Sequence, residues 1–177
     1  LLAIHPLQQT QFLLSSQLED LEIEKLIRLE VPAPKWEYIF HNVITQEVVY
    51  EGLLLAQRRQ LHRAVGTALE NLVPDEVEQL AFHYSRSDDW EKALHYLKIA
   101  GDKARREYAN HAAINHYSEI LTYLSNHKEI VSMDYWDILI ERSKLYNLIG
   151  QRDEELEDLG TLGIMAEALN NDRRRAL

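Results

Sequence analysis

The sequence predicts a mainly α chain in which a small α+β segment over residues 1–73 leads into antiparallel helical pairs over residues 74–177. Three observations carry that prediction. Before the stretch Phe40–His62 the chain changes character every few residues: a helical stretch, a short apolar run, a proline turn, then a second apolar run. Beyond Pro74 apolar residues recur at intervals of three and four almost to the end, the period of helices with one buried face. With 46% hydrophobic and 27% charged residues in 177, the chain has the composition of a globular protein able to bury a core.

In chain order, Phe12, Leu13, Leu14, Leu18 and Leu21 fall at helical spacing and predict an amphipathic helix from Thr10 to Leu21, acidic at its far end through Glu19, Asp20, Glu22 and Glu24. Leu26-Ile27-Arg28-Leu29 then reads as a strand. Pro32, Pro34 and Lys35 make a turn, and Trp36, Tyr38 and Phe40 alternate as the second strand of a hairpin. A helix followed by a hairpin is the second half of a winged helix, an order that other small mixed folds share. Asn42 is placed to cap the next helix, whose Val43, Val48, Tyr50, Leu53 and Leu54 offer apolar contact. A further helix over Gln57–Leu72 carries Leu61, Val65, Ala68, Leu69 and Leu72 as a stripe and stops before Pro74.

After Pro74, Val77, Leu80, Ala81 and Tyr84 mark a short helix. Asp88 or Asp89 caps a longer one, with Trp90, Ala93, Leu94, Leu97, Gly101 and Ala104 on one face; its small residues let a neighbouring helix come close. Asn110 is the expected cap of the next, with Ala113, Ile114, Tyr117, Leu121 and Leu124 inward, followed by a polar loop over Ser125–Lys128. Tyr135, Ile138, Leu139, Tyr146 and Ile149 predict a helix from about Asp134, closed by Gly150. A last helix starts near Asp153 with Leu156, Leu159, Gly163, Ala166 and Leu169 as its expected inner stripe. Helical pairs of this kind bury their faces on their neighbours.

The charge of −10 disfavours general binding to nucleic acid or anionic lipid. No apolar run approaches the roughly 18 residues of a membrane helix. Absence of cysteine excludes disulfides and thiolate metal sites and is compatible with a reducing, cytoplasmic setting. The chain opens Leu1-Leu2-Ala3 and closes Arg173-Arg174-Arg175-Ala176-Leu177, and we expect a segment of a longer chain, with Arg173–Arg175 the exposed start of a further repeat.

Chemistry-bearing motifs are scarce. The six glycines form no phosphate-cradling loop followed by Lys and Ser or Thr, and neither a Gly-x-Ser-x-Gly elbow nor a His-Glu-x-x-His pair occurs. His111 and His116, five apart, point roughly 140° from one another on a helix. His41, His62 and His83 are expected to be hydrogen-bonded within the packing. Neither catalysis, a cofactor nor a metal is expected. Arg58, Arg59 and Arg63 form one basic cluster and Lys103, Arg105 and Arg106 another, each read either as a salt-bridging face or as an electrostatic contact with a partner. Arg58, Arg59, Arg63, Tyr96, Tyr108 and His116 are the candidate partner contacts.

Asp88-Asp89-Trp90-Glu91-Lys92-Ala93-Leu94-His95-Tyr96-Leu97 resembles the second helix of a tetratricopeptide repeat (TPR), and Tyr146 to Leu156 resembles the turn within another. The strict period of about 34 residues is missing, and Leu156 replaces the usual alanine. Phe40-His41, Val48, Tyr50, Leu53-Leu54, Arg58 and Leu61-His62, followed by Leu80-Ala81-Phe82-His83-Tyr84 and then Lys92-Ala93, Tyr96-Leu97, Ala100-Gly101 and Ala104, are similar to a segment of STAND-type signalling ATPases. These include bacterial cyclases with an attached AAA-type ATPase and large LuxR-type activators. The resemblance implies a winged-helix-like segment and the start of a TPR-like α-α superhelix, just downstream of an ATPase domain. It implies a non-catalytic regulatory, protein-interaction module whose partners are that domain or a protein ligand on the repeat surface. The alternative is a DNA-binding winged-helix regulator, which would need Lys and Arg on its recognition helix and wing; here the helix ends acidic and the wing, Val31 to Trp36, offers only Lys35.

Overall fold

Helices dominate, as the spacing predicts. The computed structural model describes residues 11–33, 36–126 and 133–175, and the side chains of all of these except 11–13, 133 and 169–175. Thr10, Pro34, Lys35, His127 and Lys128, and the side chains of Phe12, Leu13, Leu169 and Arg173–Arg175, to which expectations were attached, lie outside the described residues. Eight helices and one two-stranded antiparallel sheet occur among the described residues. They fall into two units, Leu1–Val73 with Arg86–Asp88, and Pro74–Ser85 with Asp89–Leu177.

In the first unit α1 (Gln11–Ile23) leads into β1 (Ile27–Val31) and β2 (Glu37–Phe40), the hairpin expected from the alternation. Ile27 faces Phe40 and Leu29 faces Tyr38, with a bulge between Leu29 and Val31. Then come α2 (Val43–Glu51) and α3 (Leu55–Leu72). Asn42 caps α2 as its sequence position suggests, its side-chain oxygen accepting from Thr45 N–H at 3.1 Å. The apolar contact expected from α2 is not made: none of its residues is buried, and Val43 and Val48 are about two-thirds exposed, as is Leu54 beyond it. The α2–α3 elbow is held by Arg58 instead. Its guanidinium donates to Glu51 O at 2.7 Å and Leu53 O at 3.0 Å, which are carbonyls that the end of α2 leaves open, and it stands 4.8 Å over the Tyr50 ring.

The second unit stacks α4 (Val77–Tyr84), α5 (Trp90–Arg106), α6 (Asn110–Asn126), α7 (Met133–Ile149) and α8 (Arg152–Arg175), each packed on the next in sequence. Asp89 caps α5, accepting from Lys92 N–H. Asn110 does not cap α6: Ala113 N–H already donates to Ala109 O at 3.0 Å, so Asn110 lies inside the first turn. Most of the core predicted through α4, α5 and α6 is observed: Leu80, Ala81, Tyr84, Ala93, Leu97, Ala113, Tyr117, Leu121 and Leu124 are buried, Val77, Trp90 and Leu94 are partly exposed, and Tyr96, Ala100 and Ile120 join the core as well. Along α8 the phase differs from expectation. Leu156, Leu159, Gly163 and Ala166 are exposed, and Asp158, Leu162 and Met165 are buried.

Gly101 sets the α5–α6 crossing. A Cβ there would stand 2.7 Å from Tyr117 Cε1, closer than atoms tolerate, and 3.3 Å from His116 Cβ, a tight contact. Tyr117, fully buried, donates its hydroxyl to Asp102 Oδ1 at 2.7 Å, and burial followed by that bond pushes its phenol well above the usual range. Further polar links tie the stack. Lys103 on α5 meets Glu78 on α4 at 2.7 Å, and Arg105 meets Glu141 on α7 at 2.7 Å. Arg142 on α7 grips the buried Asp158 of α8 through two bonds of 2.6 and 3.0 Å and donates to Ser118 Oγ on α6 at 2.9 Å.

Three helices end in one pattern. The residue after the cap takes positive φ and donates to the carbonyl three residues back, and the next N–H reaches five back. Lys25 (φ 56) closes α1, Tyr108 (φ 61) closes α5 and Gly150 (φ 79) closes α7. Only Gly150 occupies that conformation without a side-chain clash. Tyr108→Gly should therefore stabilise the protein by roughly 1 kcal/mol, while Gly150→Ala destabilises it by about the same amount, both read from urea midpoints. Gly101→Ala should cost roughly 1–3 kcal/mol by overpacking the crossing against Tyr117, measured the same way.

Candidate functional site

Side chains of α5, α6 and α7 leave a groove in the second unit. Its volume is about 240 Å³. Helical spacing explains which residues reach it: Leu94 and Lys98 lie one turn apart on α5, Ile120 and Leu124 one turn apart on α6, and Asp134 and Ile138 one turn apart on α7. The floor is aliphatic, since Ile120, Leu124 and Ile138 are almost wholly buried. The rim is charged. His95 and Lys98 stand exposed on the α5 side, and Asp134 and Asp137 are exposed on the α7 side. Lys98 is engaged by Asp102 at 3.3 Å. Such a surface can seat an apolar side chain and hold a charged one at the edge; it contains no nucleophile set against a base.

The six candidate contacts do not converge. Tyr96 is buried and stacked on Tyr84, ring centroids 5.3 Å apart, and so belongs to the core. Arg58 is committed to the end of α2, as described above. Arg63 lies 3.6 Å from Asp88 in an exposed ion pair. Arg59 is exposed and makes no ion pair among the described residues. Tyr108 is 83% exposed at the α5–α6 turn. His116 sits half-buried beside Gly101, near Glu78, whose carboxyl is held below the usual range first by its hydrogen bond from Lys103 and to a smaller extent by His116. Of the second basic cluster, Lys103 and Arg105 are spent on ion pairs between helices.

Sequence reasoning did not single out the groove's own charged residues. Asp134 and Asp137 read as ordinary acids in the first turn of a helix, where the dipole favours them. Only the fold brings them beside Leu94 and Lys98, nearly forty residues earlier. No signal local to either stretch announces that meeting. Among the described residues no group of three or more His, Asp or Glu side chains is arranged to hold a metal, and no helix is long and apolar enough to cross a membrane.

His62 is the one buried histidine among the described residues. Its Nε2 and the Tyr50 hydroxyl share a hydrogen bond of 3.0 Å, joining α2 to α3. Burial, and secondarily the charge of Arg86, lowers its pKa from the ordinary value. The folded state therefore binds a proton less readily than the unfolded chain. The stability that neutral His62 contributes is fully present above the unfolded pKa of about 6.5 and is lost as pH falls below it toward the depressed folded value. The protection factors of amides along α3, taken against the intrinsic exchange rate at each pH, should fall as pH drops below about 6.5, and His62→Gln should flatten that dependence. Comparisons with protein-family models, curated proteins and solved structures find no match for this chain.

Proposed function

We propose that this chain is a non-catalytic regulatory and protein-interaction module of a larger signalling ATPase, working in the cytoplasm. In this reading residues 1–73 are a winged-helix-like segment that packs on the ATPase domain of the same polypeptide. Residues 74–177 are TPR-like helical pairs that receive a protein signal. The observation that carries the reading is the outer face of α2. Val43, Ile44 and Val48 are about two-thirds exposed on a single helix of nine residues, and Ile39 and Phe40 of the hairpin just before it are exposed as well. Scattered exposed leucines are ordinary, but consecutive aliphatic and aromatic side chains left uncovered within one unit are what a protein-binding surface presents.

Duplex DNA fits this unit less well than a protein surface does. Glu19, Asp20, Glu22 and Glu24 are exposed along and just beyond α1, and Arg28 on β1 is paired with Glu30 at 3.4 Å. Those carboxylates would repel phosphates where a recognition helix has to approach them.

The gene upstream of Leu1 tests the proposal. A nucleotide-binding domain with Gly-x-x-x-x-Gly-Lys-Ser/Thr is expected immediately before this segment, and its absence overturns the reading. In the full-length protein Val48→Glu should change nucleotide hydrolysis, while circular dichroism of the helical stack stays as in the parent.

A further inference from the structure

The groove across α5, α6 and α7 supports a more specific statement, which rests on the interaction-module reading and names the partner's chemistry. At about 240 Å³ it falls below the roughly 300–1,000 Å³ of sites that take cofactors and small molecules, and so suits one or two side chains of a larger partner. Its floor of Ile120, Leu124 and Ile138 calls for an aliphatic group. The two sides of its rim differ in how far they are satisfied. Lys98 is neutralised by Asp102, whereas Asp134 and Asp137, one turn apart on α7, form neither an ion pair nor a hydrogen bond among the described residues. The dipole of α7 accounts for carboxylates in its first turn. It does not account for their standing at the rim of a groove with an aliphatic floor.

We propose that this groove receives a cationic amphipathic peptide segment of a partner protein, with an aliphatic side chain on the floor and a lysine or arginine at Asp134 and Asp137. Apolar contact supplies the seat and charge selects the sequence, since an acidic partner would meet the carboxylates of Asp134 and Asp137 at the rim. The net charge of −10 attracts such a segment from a distance, so the local carboxylates have to be separated from the general field in any test.

Fluorescence anisotropy with three short labelled helix-forming peptides makes that separation: one of leucine and lysine, one of leucine and glutamate, one of serine and lysine. The leucine–lysine peptide is expected to bind the full chain, and Asp134→Asn with Asp137→Asn to weaken it about ten-fold. Asp153→Asn with Glu154→Gln removes the same charge from an exposed turn of α8 and is expected to leave binding nearly unchanged. Equal loss in both double variants, or equal binding of the serine–lysine peptide, overturns the proposal by reducing it to general attraction. Binding of the leucine–glutamate peptide in preference overturns the charge assignment while the module reading stands. Binding of none of the three overturns the groove as a site. Circular dichroism of each variant verifies the fold, and the module reading itself falls only on the upstream gene.

Discussion

The close approach of α5 and α6 at Gly101 is the constraint from which the second unit is built. Tyr117 fills the space that a side chain at 101 would need, and its hydroxyl reaches Asp102 on the same turn of α5. A tyrosine buried this completely is tolerated because its one polar atom has a charged acceptor; without Asp102 the hydroxyl would carry an uncompensated desolvation cost of roughly 1–3 kcal/mol. The crossing thus fixes both the distance between the helices and their register. Leu94 stands about two turns before Gly101 on α5, and Leu124 about two turns after Tyr117 on α6, so the groove floor takes its place from this contact.

Polar links extend that register through the stack, and they differ in weight. Lys103–Glu78 and Arg105–Glu141 are partly exposed and hold orientation more than stability. Arg142 is another matter. It is largely buried, lies over the Tyr146 ring at 5.6 Å, and joins three successive helices through Ser118, its own backbone and Asp158. Removing one partner of such a pair strands a buried charge, which typically costs about 3–5 kcal/mol, whereas a well-packed apolar pair in its place can be neutral. With Asp158 paired in this way, α8 turns inward a face that includes a carboxylate.

That choice marks the limit of what was legible in the sequence. Through α4, α5 and α6 the apolar stripes are clear and most of the predicted residues are buried, but Tyr96, expected at the surface, joins the core with Ala100 and Ile120. Local chemistry also identified Asn42, the pair Asp88 and Asp89 of which the second is the cap, and Gly150, because a cap or a positive φ is decided within a few residues; at Asn110 the same reasoning misses the start of α6 by one residue. On α8 two stripes compete. Leu156, Leu159, Gly163 and Ala166 look more apolar than Asp158, Leu162 and Met165, yet the second set is buried, because Arg142, sixteen residues away, supplies the partner for Asp158. A hydrophobicity pattern counts a carboxylate against burial and has no means of seeing its guanidinium. The same blindness explains Arg58, which reads as surface charge and serves as the cap of α2, and Asp134 and Asp137, whose significance depends on α5.

Tyr108 ties strain to surface. It stands in a left-handed conformation that Gly150 occupies freely in the corresponding turn after α7, and its ring is mostly in solvent. Nothing in its own packing returns the strain of roughly 1–2 kcal/mol that a non-glycine residue bears there. Lys25 carries the same strain after α1, but there a flexible, strongly hydrated side chain sits in solvent at little further cost. An aromatic ring exposes a large apolar area as well, so Tyr108 is unfavourable on two counts at once, while the core residues around Gly101 are satisfied on every side. Strain of that size is a large fraction of a domain's net stability, and the turn bears it because the crossing at Gly101 holds α5 and α6, the helices that it connects.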